Sequence, residues 1–299
     1  CVSIDRSKIE RERKLNKTVL LVGLGNMGAA LATTLLDAGY ETWVWNRTKE
    51  KADELLDKGA QWSDDIWAAV GSVDYVVMCL SNYVNSVELL STCSDLDNKV
   101  VIQLTTGTAS DASSFENLVK QKRGHYLDGA ILAYPSNIGD PRCSLLVAGD
   151  SRAWEDSEAL ILALGGKSQY LGEEICAPSH LDHALIAPSL IMQMAVIQGM
   201  HMAKKAGVDL EFYSKMISGL PASLKADQER HTRAIIDDDF SEVQASIRTW
   251  KEALDRILEE GKGSNFNAEL LSGIAEVLKH GQNQGVGEED LAALIKTMG

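Results

Sequence analysis

The sequence predicts a two-part α/β protein, with a doubly wound parallel sheet over residues 17–176 and an all-helical part over residues 177–299. Two observations predict it. Up to about Ala148, short runs that are apolar nearly throughout alternate with amphipathic helical segments, the pattern of strands covered by helices on both faces. After Cys176 the strand signals stop and only helical periodicity remains.

The first strand is Thr18-Val19-Leu20-Leu21-Val22, followed by a helix over Ala29–Ala38 that stops at Gly39. Glu41-Thr42-Trp43-Val44-Trp45 is the second strand, and Lys49–Lys58 the second helix, stopped by Gly59. Tyr75–Leu80 and Val100–Leu104 read as further buried strands. Helices are then expected over Leu181–Lys205, Leu210–Ser218, Ala222–Ile236, Ser241–Glu260, Ala268–His280 and Glu288–Met298, with glycines and Asp237-Asp238-Asp239 between them. Residues 1–16 are polar and charge-rich, and are expected to form a flexible arm.

Lys and Arg number 29 against 43 Asp and Glu, a formal charge of −14 over 299 residues. A field of that sign disfavours nucleic acid and anionic membrane as partners. The five cysteines are scattered, odd in number and without C-x-x-C spacing, which fits reduced thiols in a cytoplasmic protein and neither a disulfide framework nor a zinc site. Ala184–Met202 approaches membrane-spanning length, but it carries Pro188, Ser189, Gln193, Gln198 and His201. A central helix buried on all sides by protein is the expectation. A helical half led by so apolar a helix has more greasy surface than a small bundle can bury alone, so a homodimer through this half is expected.

Gly23-Leu24-Gly25-Asn26-Met27-Gly28 follows the first strand directly and opens the first helix. In that context the three glycines read as a Rossmann dinucleotide fingerprint: a tight turn, close approach of backbone amides to a pyrophosphate, and close helix–strand packing. An NAD site usually places Asp or Glu at the end of the second strand. Here Asn46-Arg47-Thr48 stands there, with Lys51 one turn later. A carboxylate would repel a ribose 2′-phosphate; a guanidinium and a hydroxyl can bind it. The cofactor expected is NADPH.

Three further segments carry a family resemblance: Leu80-Ser81-Asn82, Gln103-Leu104-Thr105-Thr106-Gly107-Thr108, and Leu127-Asp128-Gly129-Ala130-Ile131-Leu132-Ala133-Tyr134-Pro135 continuing to Ile138-Gly139. With Gly23–Gly28 and Asn46-Arg47-Thr48, the series resembles the imine reductases and reductive aminases of the β-hydroxyacid dehydrogenase superfamily, over nearly the whole chain from Lys17. The resemblance implies reduction of C=N bonds by NADPH, in a cleft between the nucleotide domain of one subunit and helices of the other. It implies Leu80 and Ser81 as cofactor neighbours and Thr106 beside the nicotinamide and the substrate nitrogen. It also matches Asp182, in Ser179-His180-Leu181-Asp182-His183, to the position where hydroxyacid dehydrogenases carry a catalytic Lys. Cys176, Pro178 and Pro188 depart from the family pattern. Leu190 stands where reductive aminases often carry Tyr, which puts strong ketone–amine coupling in doubt.

The charges point the same way. The superfamily's acid-binding S-G-G run is replaced by Ala133-Tyr134-Pro135, a poor cradle for an anion, whereas a carboxylate at Asp182 can hold an iminium cation. Asp182 could also serve only the dipole of its helix. Tyr134, Leu190 and Trp250 are candidates for the substrate pocket, each with core packing as the plainer role. His180 and His183 have a metal-like spacing without a third ligand, so no metal is expected. Two alternatives stay open: a hydroxyacid or semialdehyde reductase, and a catalytically silent NADP(H)-binding protein.

Overall fold

The computed structural model describes residues 17–219, 221–264 and 267–299, so the arm expected over residues 1–16 lies outside the described residues. The first unit is built from β1 (Thr18–Val22), α1 (Asn26–Asp37), β2 (Glu41–Trp45), a 3-10 turn (Lys49–Ala52) running into α2 (Asp53–Asp57), β3 (Gln61–Trp62), α3 (Ile66–Ser72), β4 (Tyr75–Met78), α4 (Tyr83–Ser91), β5 (Val100–Gln103) and α5 (Ala109–Gln121). It continues through β6 (His125–Ile131), β7 (Leu145–Gly149), α6 (Ser151–Leu164) and β8 (Gln169–Tyr170).

The sheet has the order β3-β2-β1-β4-β5-β6-β7-β8. Every neighbouring pair is parallel except β6 and β7. The strands read from the sequence, β1, β2, β4 and β5, are parallel as expected, and the exception lies beyond them. The stretch joining β6 to β7 contains only the 3-10 turn Pro135–Asn137, and without a crossover helix the chain returns antiparallel.

Alternate strand residues serve opposite layers, which is why the strands are apolar throughout. Val19 and Leu21 pack with Leu31 and Leu35 of α1; Leu20 and Val22 pack on the other face with Val76, Phe115 and Tyr126. The chain reverses its direction of travel between β1 and β4, so a crevice opens at their carboxyl ends. Local chemistry starts the helices around it: Asp65 accepts from the amides of Trp67 and Ala68 ahead of α3, and Thr108 and Asp111 form a reciprocal capping box that opens α5.

α7 (Ala177–Lys205) follows, with Pro188 inside it, and the compact unit around the sheet extends to Ala187. The second unit, from Pro188, contains the rest of α7, α8 (Leu210–Ile217), α9 (Pro221–Asp237), α10 (Ile247–Ser264), α11 (Glu269–Asn283) and a closing 3-10 segment, Leu291–Thr297. Phe240, Ile247, Leu278, Val286 and Leu294 form its buried cluster. The helix expected from Ser241 begins only at Ile247, because Ser246 bridges to Asp290 and its hydroxyl accepts from the Thr249 amide.

The expectation that the apolar helix is enclosed by protein fails for the single chain. Leu185, Ile186, Leu190, Ile191, Met192, Met194 and Ile197 are all exposed. By length and composition this helix could cross a membrane. Among the described residues nothing covers these side chains.

Asp290, 1 % exposed, joins three parts of the second unit. Its carboxylate accepts from the Ala292 amide at 3.1 Å and from Arg230 at 2.5 Å, with His231 Nε2 at 3.4 Å. Burial pushes its pKa up, but the Ala292 amide and the Arg230 guanidinium outweigh that and hold it below the usual value. The sign follows: this stabilisation is complete above the pKa of the unfolded chain and is lost as pH falls through the lower folded value. Asp290→Ala, which removes the acceptor of the Ala292 amide and leaves the half-buried Arg230 with Asp227 alone as its carboxylate among the described residues, is expected to destabilise the second unit by about 2 kcal/mol in chemical denaturation at pH 7.

Candidate active site

The crevice between the ends of β1 and β4 is a cleft of about 610 Å³. Its floor is the glycine loop. Gly23 sits at φ +102°, and a Cβ there would lie 2.3 Å from the carbonyl oxygen of Cys79; a Cβ on Gly28 would lie 1.8 Å from the carbonyl oxygen of Gly23. These two glycines are required by the protein's own packing. Gly25 differs: a Cβ there would meet nothing within 4 Å. The space above it is open, as a ligand site requires.

Gly25 is also the N-cap of α1 and makes no side-chain cap bond. The first amides of that helix, at Asn26, Met27 and Gly28, therefore face the cleft with the positive end of the helix dipole behind them. This arrangement suits a pyrophosphate.

Asn46, Arg47, Thr48 and Lys51 line the same cleft. The Asn46 amide oxygen accepts from the Leu24 amide at 3.1 Å and its nitrogen donates to the Thr48 carbonyl at 2.9 Å, so Asn46 ties the glycine loop to the β2 loop. Lys49 is engaged elsewhere: it pairs with Asp64 at 3.2 Å and lies over the Trp62 ring. Arg47 and Lys51 are exposed, and their side chains have no ion-pair or hydrogen-bond partner among the described residues. They are the cations left to receive a 2′-phosphate.

Leu80 and Ser81 form the opposite lip. The Leu80 amide donates to the Thr105 hydroxyl at 2.9 Å, and the Thr105 amide donates to Gln103 Oε1 at 3.0 Å. This fixes the loop after β4 against the loop after β5, and leaves Thr106 exposed beside them. One face of α4, made by Asn85, Glu88, Leu89 and Thr92, completes the cleft with Trp45 and Cys79. The sequence reading missed that face, although its 3–4 residue spacing could have shown it.

Asp182 lies on α7 within the first unit and is 5 % exposed. Ser179, one turn earlier, is buried with it, whereas His180 and His183 are exposed. The Asp182 carboxylate has no hydrogen-bond or ion-pair partner among the described residues, and burial pushes its pKa up, with His183 pulling weakly the other way. The base of α7 is fastened to the base of α5: the Cys176 thiol lies 3.2 Å from Ser113 Oγ and 3.4 Å from the carbonyl oxygen of Ala109. α5 begins directly after Thr106-Gly107-Thr108, so Asp182 and Thr106 belong to one compact unit.

The three proposed pocket walls are divided between the two units. Tyr134 is 68 % exposed in the first unit, and Leu190 and Trp250, 57 % and 49 % exposed, belong to the second. Among the described residues no group of three or more His, Cys, Asp or Glu could hold a metal.

The glycines separate packing from binding. Gly28→Ala is expected to disrupt the fold of the loop and lower the melting temperature, because the new methyl overlaps the Gly23 carbonyl. Gly25→Ala is expected to leave the melting temperature unchanged and weaken dinucleotide binding roughly 10-fold or more, the methyl occupying ligand space. Titration of the dinucleotide by fluorescence beside thermal unfolding reads both.

Residues 18–172 match the model of the NAD binding domain of 6-phosphogluconate dehydrogenase, and residues 187–298 match that of the NAD-binding of NADP-dependent 3-hydroxyisobutyrate dehydrogenase. The chain is 29% identical over 290 residues to the NADPH-dependent reductive aminase of Aspergillus oryzae, covering 94% of this chain and 97% of that one. An imine reductase from Pseudomonas sp. superposes with TM-score 0.91 at 28% identity, covering 95% of this chain and 100% of that one. A reductive aminase from Aspergillus terreus in complex with NADPH4, cyclohexanone and allyl amine superposes with TM-score 0.89 at 25% identity, covering 95% and 99%. The chain belongs to the family defined by the 6-phosphogluconate dehydrogenase NAD binding domain and, within that β-hydroxyacid dehydrogenase superfamily, to the imine reductases and reductive aminases.

Proposed function

We propose that the protein reduces imines to amines with NADPH. The observation that carries this reading is Asp182: a buried carboxylate with no partner of its own, in the unit that binds the dinucleotide. Partial desolvation disfavours the charged form of an unpaired carboxylate, and a cationic substrate offsets that on binding. An iminium supplies such a charge; a ketone or a carboxylic acid does not. NADPH supplies the hydride. The protein's own residues orient the two reactants: the α1 amides hold the pyrophosphate, Arg47, Thr48 and Lys51 the 2′-phosphate, Leu80 and Ser81 the opposite side, and Thr106 stands beside the reacting carbon–nitrogen bond. Asp182 holds the iminium nitrogen and favours its protonated, electrophilic form. The same carboxylate can hold the iminium that a ketone and an amine form together, so reductive amination belongs to this reading; the relatives that carry that name support it.

The unit from Pro188 is read as a dimer surface. Leu190, Ile191, Met192, Met194 and Ile197 expose a wide apolar face, larger than soluble monomers tolerate. A second copy of the chain is a better cover than lipid, because Pro188, Gln193, Gln198 and His201 break up the apolar run along the helix, and Gln198 donates to the Asn267 carbonyl at 2.9 Å. In such a dimer the exposed Leu190 and Trp250 of one copy would serve as pocket walls for the other, with Tyr134.

Asp182→Asn is expected to lower kcat/KM for a cyclic imine by roughly 100-fold, the loss of about 3 kcal/mol of charge attraction at an intermediate dielectric. Full turnover in that variant would remove the carboxylate from the mechanism. The pH dependence has a definite sign. The ionised form of Asp182 is the active one and its pKa is raised, so the rate should fall on acidification at a pH above the ordinary carboxylate range, and this limb should vanish in Asp182→Asn. Arg47→Ala should raise the KM for NADPH by roughly 30-fold, about 2 kcal/mol for a charge-assisted bond, and leave that for NADH within about 3-fold; equal losses would contradict the 2′-phosphate assignment. Ile191→Asp should give a monomer by light scattering with little imine turnover, whereas a monomeric wild type would end the dimer reading.

A further inference from the structure

A row of polar side chains lies beneath the loops of the cleft, inside the otherwise apolar layer between the sheet and helices α4 and α5. Gln103, the last residue of β5, and Asp128, in the middle of β6, are register partners, and both are buried. Asp128 Oδ1 accepts from the Tyr126 hydroxyl at 2.8 Å and from the Tyr83 hydroxyl. Burial pushes the Asp128 carboxyl up to about 6, against the two phenols, which pull it down. Gln103 spends its Oε1 on the Thr105 amide and leaves its Nε2 buried without a partner.

Such a polar row costs more than an apolar layer of the same shape, and what it holds is specific. Tyr83 is the first residue of α4, directly after the Leu80-Ser81-Asn82 lip. Its ring, set edge-on to Phe115 at 5.8 Å between centroids, lies directly beneath Gly107: a Cβ there would come within 2.3 Å of Tyr83 Cδ2. Thr106 is therefore held from both sides. Thr105 before it is bonded to Gln103 and Leu80, and Gly107 after it rests on a ring whose hydroxyl is tethered to Asp128.

We propose that Tyr83 and Asp128 form a buried brace that sets the height of the Thr105–Thr108 segment, and that both are positioning residues for the reduction, acting through Gly107 on Thr106. The proposal rests on the reading of Thr106 as a neighbour of the reacting bond. The glycine loop and the Arg47 side of the cleft lie outside the brace, so it predicts a split between chemistry and cofactor binding.

Tyr83→Phe keeps the ring under Gly107 and removes only the tether. It is expected to lower kcat about 10-fold, leave the NADPH dissociation constant, read by fluorescence titration, within about 2-fold, and speed amide exchange in residues 104–108 but not in residues 23–28. Asp128→Asn, whose amide oxygen still accepts from both phenols, is expected to retain slow exchange in residues 104–108. Gly107→Ala should reproduce the kcat loss, and pairing it with Tyr83→Leu, which makes room for the methyl, should recover part of it. Unchanged exchange in residues 104–108 of Tyr83→Phe overturns the proposal, as does a parallel loss of kcat and NADPH affinity. Thr106→Ala run alongside separates the two readings. Full kcat in Thr106→Ala removes the role given to Thr106 and with it the catalytic half of the proposal; a loss there with none in Tyr83→Phe overturns the brace alone.

Discussion

The constraint on which the chemistry depends is an unsatisfied charge. A carboxylate largely shielded from water and without a hydrogen-bond donor is disfavoured in its charged form, and a cation that reaches it offsets that cost. Asp182 is 5 % exposed, its carboxylate oxygens keep some contact with water, and among the described residues its side chain has no hydrogen-bond or ion-pair partner. An ammonium in its place would attract a carboxylate substrate and donate to a developing alkoxide. A carboxylate inverts both preferences, favouring a cation that becomes an amine. In the proposed reaction, the sign of the charge at this position would select the substrate.

The remainder of the first unit prepares the other reactant. The reversal of direction between β1 and β4 opens the crevice, the uncapped start of α1 supplies amides to it, and Gly25 leaves it empty. Gly23 and Gly28 answer to a different demand, the contact of backbone with backbone. A single sequence motif thus carries two kinds of requirement. Only the structure tells which glycine serves the fold and which the ligand.

Much of this was readable in the chain. β1 and β2 have the bounds read from their apolar runs, because a strand buried on both faces leaves no other pattern. Glycine fingerprint and Arg47 were legible because their chemistry is local. The helix read over Lys49–Lys58 breaks into a 3-10 turn and a short α-helix, a distinction periodicity does not make. The antiparallel return of β7 was hidden because it depends on what the β6–β7 connection lacks. Asp128 and Gly107 were quoted only within family segments and Tyr83 not at all; the bond from Tyr83 to Asp128 joins residues 45 positions apart and leaves no trace in spacing. Apolar α7 was read as enclosed because composition records that a surface needs a cover, not which molecule provides it.

The most direct measurement is the titration of the Asp182 carboxyl itself by carbon-13 NMR, in the NADP+-bound protein with and without a saturated cyclic amine. Without the amine its pKa should stand above the ordinary carboxylate range; with the amine bound it should drop by more than about one unit, because the added cation favours the ionised form. An identical titration in both samples would mean that the carboxylate does not meet the amine, and the account of the reaction would fail with it.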